Sequence, residues 1–283
     1  MSRRALLPLL VALVACAACV QPTRRGADAS PGPSATSPAA GAAGAAGADA
    51  GPPPLVVASD LDNMPFAGVD GLGRAVGRDV EMMEALAREL GREIRWHRAP
   101  FETLLPSAQA GFPDVVCATL GVTAERAQKV AFSRPYFETV ITVVVRSGAG
   151  EPRGWDDLDG LSVAAGAGTT AERAVRAKLP RASLVTEQKS DLGAAERLLL
   201  GEVDGIAMDG PAADALVADS GGALTTLVTP LASERYALAL PRDRADLLAQ
   251  LDALLERFEA EGRLRRWNGK WGLRPVQAPA GIR

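Results

Sequence analysis

The sequence predicts an α/β protein in which two lobes of similar plan are joined by two crossover strands. Short apolar runs alternate with amphipathic stretches, an order typical of mainly parallel sheets covered by helices. A helix that ends in Gly-x-x-Asp before an apolar strand occurs twice, with the Gly-x-x-Asp motifs at 111–114 and 201–204. Two longer extended apolar segments, 140–145 and 236–240, are predicted to be the crossovers.

The first lobe is predicted to begin with a short buried strand at 55–58. After a turn-rich stretch, an amphipathic helix is predicted over 79–90. Its apolar residues recur three and four positions apart, and Gly91 follows as a stop signal. The next elements are predicted to be a strand at 94–96, a helix over 101–110 closed by Gly111, and a strand at 115–119.

The second lobe repeats this plan. It is predicted to contain a strand at 161–165, a tight turn at 166–168, a helix over 169–179 and a later strand at 206–208. The two crossover segments are expected to pair with each other, which would restrict lobe movement to bending. A last helix over 244–261 should pack back on the first lobe. The predicted boundaries are therefore 55–142 with 239–275 for the first lobe, 143–238 for the second, and 276–283 as a tail.

The N-terminal residues have the features of a secretory signal. Arg3 and Arg4 precede an apolar stretch that is too short to span a bilayer, which takes about 20 residues. Residues 13–16 (LVAC) resemble a bacterial lipobox, which predicts a signal peptide over 1–15 and an acylated Cys16. Cys19 is the less favoured acceptor, and an ordinary cleaved signal is the alternative. Residues 16–54, rich in Ala, Gly and Pro, are predicted to form a disordered tether. The protein is expected in the periplasm or cell envelope, where the lipid on Cys16 would hold it at a membrane.

Composition excludes several function classes. Lys and Arg number 31 against 34 Asp and Glu and are scattered along the chain, so no basic stripe for nucleic acid is present. Three cysteines and one histidine, His97, do not predict a zinc site or a catalytic triad. Cys117 lies in an apolar run and is expected to be a buried free thiol. The glycine-rich stretch 166–170 lacks the lysine of a P-loop. No cofactor is expected.

Seven short segments together, in their order and spacing, resemble family 3 of the extracellular solute-binding proteins, the receptors of polar-amino-acid ABC importers. The resemblance covers residues 55–273. It implies the two-lobed type II periplasmic-binding-protein fold, with a ligand cleft between the lobes. It also implies a monomeric lipoprotein that binds an amino acid or similar small zwitterion and passes it to a membrane permease. The segments are 58–60 with 64–66, 77–81, 101–106, 122–126, 132–136, 166–170 and 208–209.

Two charged residues are expected to hold the head group of such a ligand. Arg126 can bind a carboxylate through two parallel N–H bonds, although composition alone favours a surface pair with Glu125 or Glu138. Asp209 ends a strand, where open α/β sheets place their ligands, and the resemblance assigns it to the ammonium group. The alternative for Asp209 is an N-cap of the helix that begins near Pro211.

Other residues are expected around the same pocket. Gly168, Thr169 and Thr170 precede a helix whose N-terminus can bind an anion, with Thr169 as a simple N-cap in the alternative. The resemblance gives Asp60 a contact with the ligand's side chain or amine, and Phe101 an aromatic wall. It adds to the site Phe66, Thr119, Gly121 and Thr123.

Two departures from the family pattern leave the ligand's side chain open. Asn63 replaces an aromatic residue, which weakens any aromatic contact with a cationic side chain. Gly121 replaces a serine or threonine and so removes a hydroxyl. The alternative functions are a ligand sensor and an enzyme resembling cyclohexadienyl dehydratases. Such an enzyme would need a cleft carboxylic acid, with Glu138, Glu187 and Glu234 as candidates.

Overall fold

The computed structural model describes residues 51–187, 191–274 and 276. The predicted signal peptide, Cys16, the tether up to residue 50 and the tail from residue 277 lie outside the described residues. Residues 51–54, the end of the predicted tether, are exposed and belong to no helix or strand. Within the described ranges, every helix is too short or too polar to cross a bilayer.

The elements alternate between strand and helix along most of the chain. The strands are β1 (Leu55–Ser59), β2 (Gly68–Val69), β3 (Ala75–Val76), β4 (Ile94–Arg98), β5 (Val115–Val116), β6 (Ala131–Phe132), β7 (Phe137–Arg146), β8 (Ser162–Gly166), β9 (Ser183–Glu187), β10 (Gly205–Asp209), β11 (Leu224–Thr226), β12 (Ala232–Tyr236) and β13 (Ala239–Leu240). The helices are α1 (Arg78–Glu89), α2 (Phe101–Gln109), α3 (Ala124–Ala127), α4 (Thr170–Lys178), α5 (Asp191–Leu200), α6 (Gly210–Asp219), α7 (Ala245–Ala260) and α8 (Arg263–Lys270). A short 3₁₀ turn spans Asp156–Leu158.

The first lobe is built on a five-stranded sheet in the order β4-β1-β5-β13-β6. Strand β1 pairs in parallel with β4 and β5, whereas β13 runs antiparallel to β5 and β6. One face packs against α1, α7 and α8, with Leu86, Leu255 and Phe258 fully buried. The other face packs against α2 through Leu104 and Ala108. The C-terminal helices therefore return to the first lobe, as expected.

The second lobe is built on a six-stranded sheet in the order β11-β7-β10-β8-β9, with β12 paired to the first half of β7. Strands β8, β9 and β10 are parallel, and β7 is antiparallel to its neighbours. One face packs against α4 through Ala171 and Val175, and the other against α5 and α6 through Leu198 and Ala213. The predicted α/β fold of two lobes with two crossover strands is confirmed.

The register of the crossover strands differs from the prediction that 140–145 pairs with 236–240. Strand β12 pairs with 137–141, so that Phe137 lies opposite Tyr236 and Ile141 opposite Ala232. Ala239 joins the first sheet instead, where it pairs with Val116 and Phe132. The apolar half of β7 beyond Ile141 pairs with β10 and β11. Those residues belong to the core of the second lobe. The two crossover strands therefore pair a few residues earlier in each segment than predicted.

The strand predicted at 115–119 is shorter in the structure and ends at Val116. Thr119 has φ 46°, in the left-handed region, which ends the extended conformation. Its hydroxyl accepts a hydrogen bond from Asn63 Nδ2 at 2.8 Å, which holds the bend in place. The chain therefore turns at Thr119 toward the space between the lobes.

Candidate ligand-binding cleft

A cleft of about 640 Å³ lies between the two sheets and is lined by residues of both lobes. Of the predicted site residues, eight line it: Asp60, Phe101, Thr119, Gly121 and Arg126 from the first lobe, and Thr169, Thr170 and Asp209 from the second. Further lining residues that the sequence did not single out as site residues include Asp62, Asn63, Arg98, Glu102, Met208 and Ala212.

Three predicted site residues stand behind the cleft wall. Phe66 is buried and packs edge-on against Phe137 and Tyr236, with ring centroids 5.0 and 5.5 Å apart. Thr123 caps α3, where its hydroxyl accepts a hydrogen bond from the backbone N–H of Arg126. The carbonyl oxygen of Gly168 accepts a hydrogen bond from Arg126. These residues position the wall and its arginine.

Arg126 joins the two lobes. Its side chain is buried, with Nη1 donating to the Gly121 carbonyl at 2.8 Å and Nη2 donating to the Gly168 carbonyl at 3.0 Å. The alternative surface pair with Glu125 is not formed, because Glu125 binds Lys129 and Arg173 instead. Burial, followed by the charge of Arg173, lowers the pKa of Arg126. A guanidinium nevertheless stays charged, so the cleft contains a fixed cation.

The loop before α4 has a structural role that the sequence also predicts. Thr169 is the N-cap, with its hydroxyl accepting from the Glu172 backbone N–H at 3.2 Å and donating to the Gly166 carbonyl at 2.8 Å. Gly168 adopts φ 71°, which favours glycine. Thr170 then places its hydroxyl in the cleft wall, where it donates to Glu234. The cap fixes the first turn of α4, the part of the helix that faces the first lobe.

Asp209 stands at the N-terminal boundary of α6, but its side chain makes no capping hydrogen bond. Its carboxylate accepts a hydrogen bond from the Tyr236 hydroxyl at 2.5 Å instead. Burial raises the pKa of Asp209, while the Tyr236 hydrogen bond and the charge of Arg126 oppose that rise. The carboxylate is thus held at the cleft wall and is directed away from the helix backbone.

The rim of the first lobe carries an excess of negative charge. Asp60, Asp62 and Glu102 line the cleft there beside one cation, Arg98. Arg98 donates to the backbone carbonyl of Asp60 and not to its carboxylate. Burial raises the pKa of Asp60, and the charge of Asp62 contributes to the rise. A cationic or hydrogen-bond-donating group would neutralise this end of the cleft.

Among the three enzyme candidates, Glu234 has its carboxyl directly behind the cleft lining, against Gly121 and Thr170. It is 6% exposed on β12, and it accepts the Thr170 hydrogen bond through Oε1. Glu138 is exposed on β7, and the side chain of Glu187 lies outside the described residues. The sequence named Glu234 only as one of three candidate acids and could not place it beside the cleft, since its position depends on how β12 pairs with β7. Across the described part of the chain, no three His, Cys, Asp or Glu side chains form a group that could hold a metal ion.

Comparisons with known proteins agree with this architecture. The family model "Bacterial extracellular solute-binding proteins, family 3" matches residues 55–274. The L-cystine-binding protein TcyJ of Escherichia coli is 28% identical over 218 residues, which cover 77% of this chain and 82% of that protein.

Solved structures show the same fold. A mutant of ArgBP from T. maritima superposes with a TM-score of 0.70 at 32% identity, over 77% of this chain and 94% of that one. A truncated ArgBP has been solved in its arginine-bound form. The ancestral amino acid-binding protein AncCDT-1, described as a precursor of cyclohexadienyl dehydratase, superposes with a TM-score of 0.69 at 28% identity, over 77% and 94% of the two chains.

The relatives are named as binding proteins of ABC transporters or of amino acids, and the matched family is one of solute-binding proteins and not of enzymes. The family match spans both lobes and the cleft between them. This chain belongs to family 3 of the bacterial extracellular solute-binding proteins.

Proposed function

We propose that the protein binds an amino acid or a similar small zwitterion between its lobes and delivers it to the permease of an ABC importer. One observation carries the proposal: Arg126 of the first lobe and Asp209 of the second line the same cleft with opposite charges. A zwitterionic head group carries the complementary pair of charges. Binding it would therefore engage both lobes at once and favour their closure.

The chemistry of desolvation supports these two roles. An ammonium and a carboxylate lose their water when a cleft closes, and the protein must replace those hydrogen bonds. Arg126 offers a planar fork for the carboxylate. Asp209 already accepts one hydrogen bond from Tyr236, and an ionised carboxylate has room for several more. The ammonium can take the remaining positions.

The acidic rim indicates that the ligand has a polar side chain. Asp60, Asp62 and Glu102 outnumber Arg98 there, and Phe101 supplies an aromatic surface close to Arg126. ArgBP from T. maritima has been solved with arginine, and TcyJ is named for cystine. We infer a ligand with a cationic or hydrogen-bond-donating side chain, with L-arginine as the first candidate.

The proposed attachment to the membrane rests on the N-terminal sequence. The lipobox-like residues 13–16 precede Cys16, and residues 17–54 would connect the acylated cysteine to β1. A tethered receptor stays close to its permease while the domain moves freely. Metabolic labelling with a fatty-acid analogue should mark the wild type and not Cys16→Ser. Equal labelling of both would place the lipid elsewhere.

A thermal-unfolding screen tests the ligand directly. The purified protein would be heated with each common amino acid, polyamines and prephenate. A ligand present at a hundred times its Kd should stabilise the folded state by about 2.7 kcal/mol. A shift with L-arginine or a small group of amino acids is the expected result. No shift with any amino acid would contradict the proposed function.

A further inference from the structure

Glu234 and Asp209 lie on β12 and β10, two strands that flank β7 in the second sheet. Asp209 pairs with Ile141, and Glu234 pairs with Thr139, two residues earlier on the same strand. Residues two apart on a strand point to one face, and paired residues share that face. Both side chains therefore stand on the same face of the sheet, and their carboxyl groups interact across β7. One sheet holds both of them, so their contact does not depend on lobe closure.

The surroundings of Glu234 leave one of its oxygens without a hydrogen bond. Oε1 accepts from the Thr170 hydroxyl, whereas Oε2 is buried and has no partner in the described part of the chain. On β7, the Thr139 hydroxyl is likewise buried and unpartnered there. The charged and titratable groups that face Glu234 are Asp209 on β10, Tyr236 on β12 and Arg126 on α3.

Two interacting buried carboxyl groups do not both ionise readily, because their like charges repel in a poorly solvated site. Arg126, the cation that acts on this pair, directs two of its five N–H groups to the Gly121 and Gly168 carbonyls. Asp209 has the better support for a negative charge, since the Tyr236 hydroxyl donates to it. Burial, and then the charge of Asp209, raise the pKa of Glu234 well above its usual range. The proton of the pair therefore belongs on Glu234.

We propose that Glu234 is protonated at neutral pH and donates a hydrogen bond to Asp209, and so orients the carboxylate that receives the ligand's ammonium group. Glu234 is a positioning residue, since it stands behind the lining residues Gly121, Thr170 and Asp209. Its second role in this chain is to fill the space beside Gly121, where a side chain would collide with its carboxyl oxygen. The proposal rests on the proposed function only for the identity of the group that Asp209 receives.

Infrared difference spectroscopy of the ligand-free protein tests the proton itself. The wild type at pH 7 should show the C=O stretching band of a protonated carboxylic acid, and Glu234→Gln should remove it. Glu138→Gln, which changes an exposed carboxyl on the paired crossover strand, is the matched control and should leave the band unchanged. Absence of the band from the wild type, or its persistence in Glu234→Gln, would overturn the proposal.

The pH dependence of stability gives a second readout that a purely structural residue would not produce. A carboxyl whose pKa is raised by folding binds its proton more tightly in the folded state. It therefore favours the fold at low pH, and this contribution is lost as the pH rises from the ordinary carboxyl range, about 4.3, through the raised value. The free energy of unfolding of the wild type should fall relative to that of Glu234→Gln as the pH rises above the ordinary carboxyl range, about 4.3. Parallel pH profiles would contradict a protonated Glu234.

Calorimetric titration with L-arginine tests the positioning role. Glu234→Ala should weaken binding at least tenfold, and Glu234→Gln, which keeps a neutral donor, should restore much of the loss. Binding by Glu234→Ala as tight as that of the wild type would overturn the positioning role and leave the proposed function standing. If the wild type itself gave no response to any amino acid while the infrared band was present, the proposed function would fail and the proton on Glu234 would be supported.

Discussion

Arg126 and Asp209 show how much of the site single residues can predict. Both were expected in the site because of the family resemblance, and both line the cleft. The alternative interpretations, a surface ion pair for Arg126 with Glu125 and an N-cap for Asp209, are excluded by contacts that only the structure shows. Glu125 forms an ion pair with Arg173, and the Asp209 side chain accepts a hydrogen bond from Tyr236 instead of capping α6. Glu234 was named only as a candidate acid for the enzyme alternative, and its place behind the cleft lining was not predictable because its neighbours come from β7, β10 and α4, which are distant in sequence.

The first prediction concerns these two charged residues. Arg126→Ala and Asp209→Ala should each weaken binding of L-arginine at least tenfold, about 1.4 kcal/mol, because one end of the zwitterion would lose its partner. Arg126→Lys keeps the charge without the fork and should recover only part of the affinity. Calorimetric titration gives the affinities, and a thermal melt shows whether each variant folds. Unchanged affinity in either alanine variant would remove that residue from the site.

Gly121 and Glu234 form a matched pair at the cleft wall. A Cβ on Gly121 would collide with the Glu234 carboxyl and with the Thr170 methyl group. The departure from the serine or threonine common in the family thus has a local reason in this chain. Glu234 occupies the space that such a side chain needs, and Thr170 holds it there.

Gly121→Ser should therefore weaken binding of L-arginine at least tenfold, because the added side chain would keep the first lobe away from Glu234. In the Glu234→Ala background, the same substitution should reduce the affinity for L-arginine much less. A double-mutant cycle measured by calorimetry separates this coupling from the effect of each single change. Additive effects would mean that the two residues do not compete for space.

At the scale of elements, hydrophobic periodicity predicted most helices and central strands to within a few residues. The predicted helix 79–90 is observed as Arg78–Glu89, and 101–110 as Phe101–Gln109. Two features were not predictable from pattern. The crossover register depends on which half of β7 the second lobe buries, and the end of β5 depends on the bend at Thr119. The predicted last helix, 244–261, is observed as Ala245–Ala260, and a further helix, α8, follows it after Gly262, which adopts φ 69°.

Helix α1 begins with an ion pair that its amphipathic pattern does not reveal. Arg78 and Asp79 are fully buried, with Nη1 2.9 Å from the Asp79 carboxylate. Arg78 also donates to Asn268 of α8 and to the Tyr136 carbonyl, and the Tyr136 hydroxyl donates to Asp79. The network thus ties the start of α1 to the C-terminal helix and to the segment that enters β7.

Arg78→Ala should lower the free energy of unfolding by about 3–5 kcal/mol, because Asp79 would remain as an uncompensated buried charge. Replacing both residues, as in Arg78→Met with Asp79→Leu, should lower the free energy of unfolding less than Arg78→Ala does. Arg74→Ala, which breaks an exposed pair with Asp70 on the β2–β3 hairpin, is the control and should be near neutral. Urea unfolding measures all three. An Arg78 effect no larger than that of Arg74 would show that the buried pair contributes little.

At the scale of the whole molecule, closure depends on contacts that only the joined lobes can make. Arg126 reaches the Gly168 carbonyl, Gly121 forms a backbone bridge with Tyr236, and Glu125 binds Arg173 at 2.7 Å across the mouth of the cleft. The first is a part-buried hydrogen bond from a side chain to a backbone carbonyl, and the second is a backbone bridge. The third joins two exposed side chains, so it should respond to salt and to charge reversal.

The last prediction follows from that exposed pair. Arg173→Glu should place like charges on the two lobes and weaken L-arginine binding roughly threefold, since an exposed ion pair contributes little. The double variant Glu125→Lys with Arg173→Glu restores attraction and should regain most of the affinity, although Lys129 beside residue 125 opposes the new lysine. The effect should shrink at about 1 M salt, where the screening length is about 3 Å. Calorimetry at low and high salt distinguishes the outcomes. A loss that the double variant does not repair would mean that Arg173 acts on the ligand or on Arg126 and not through closure.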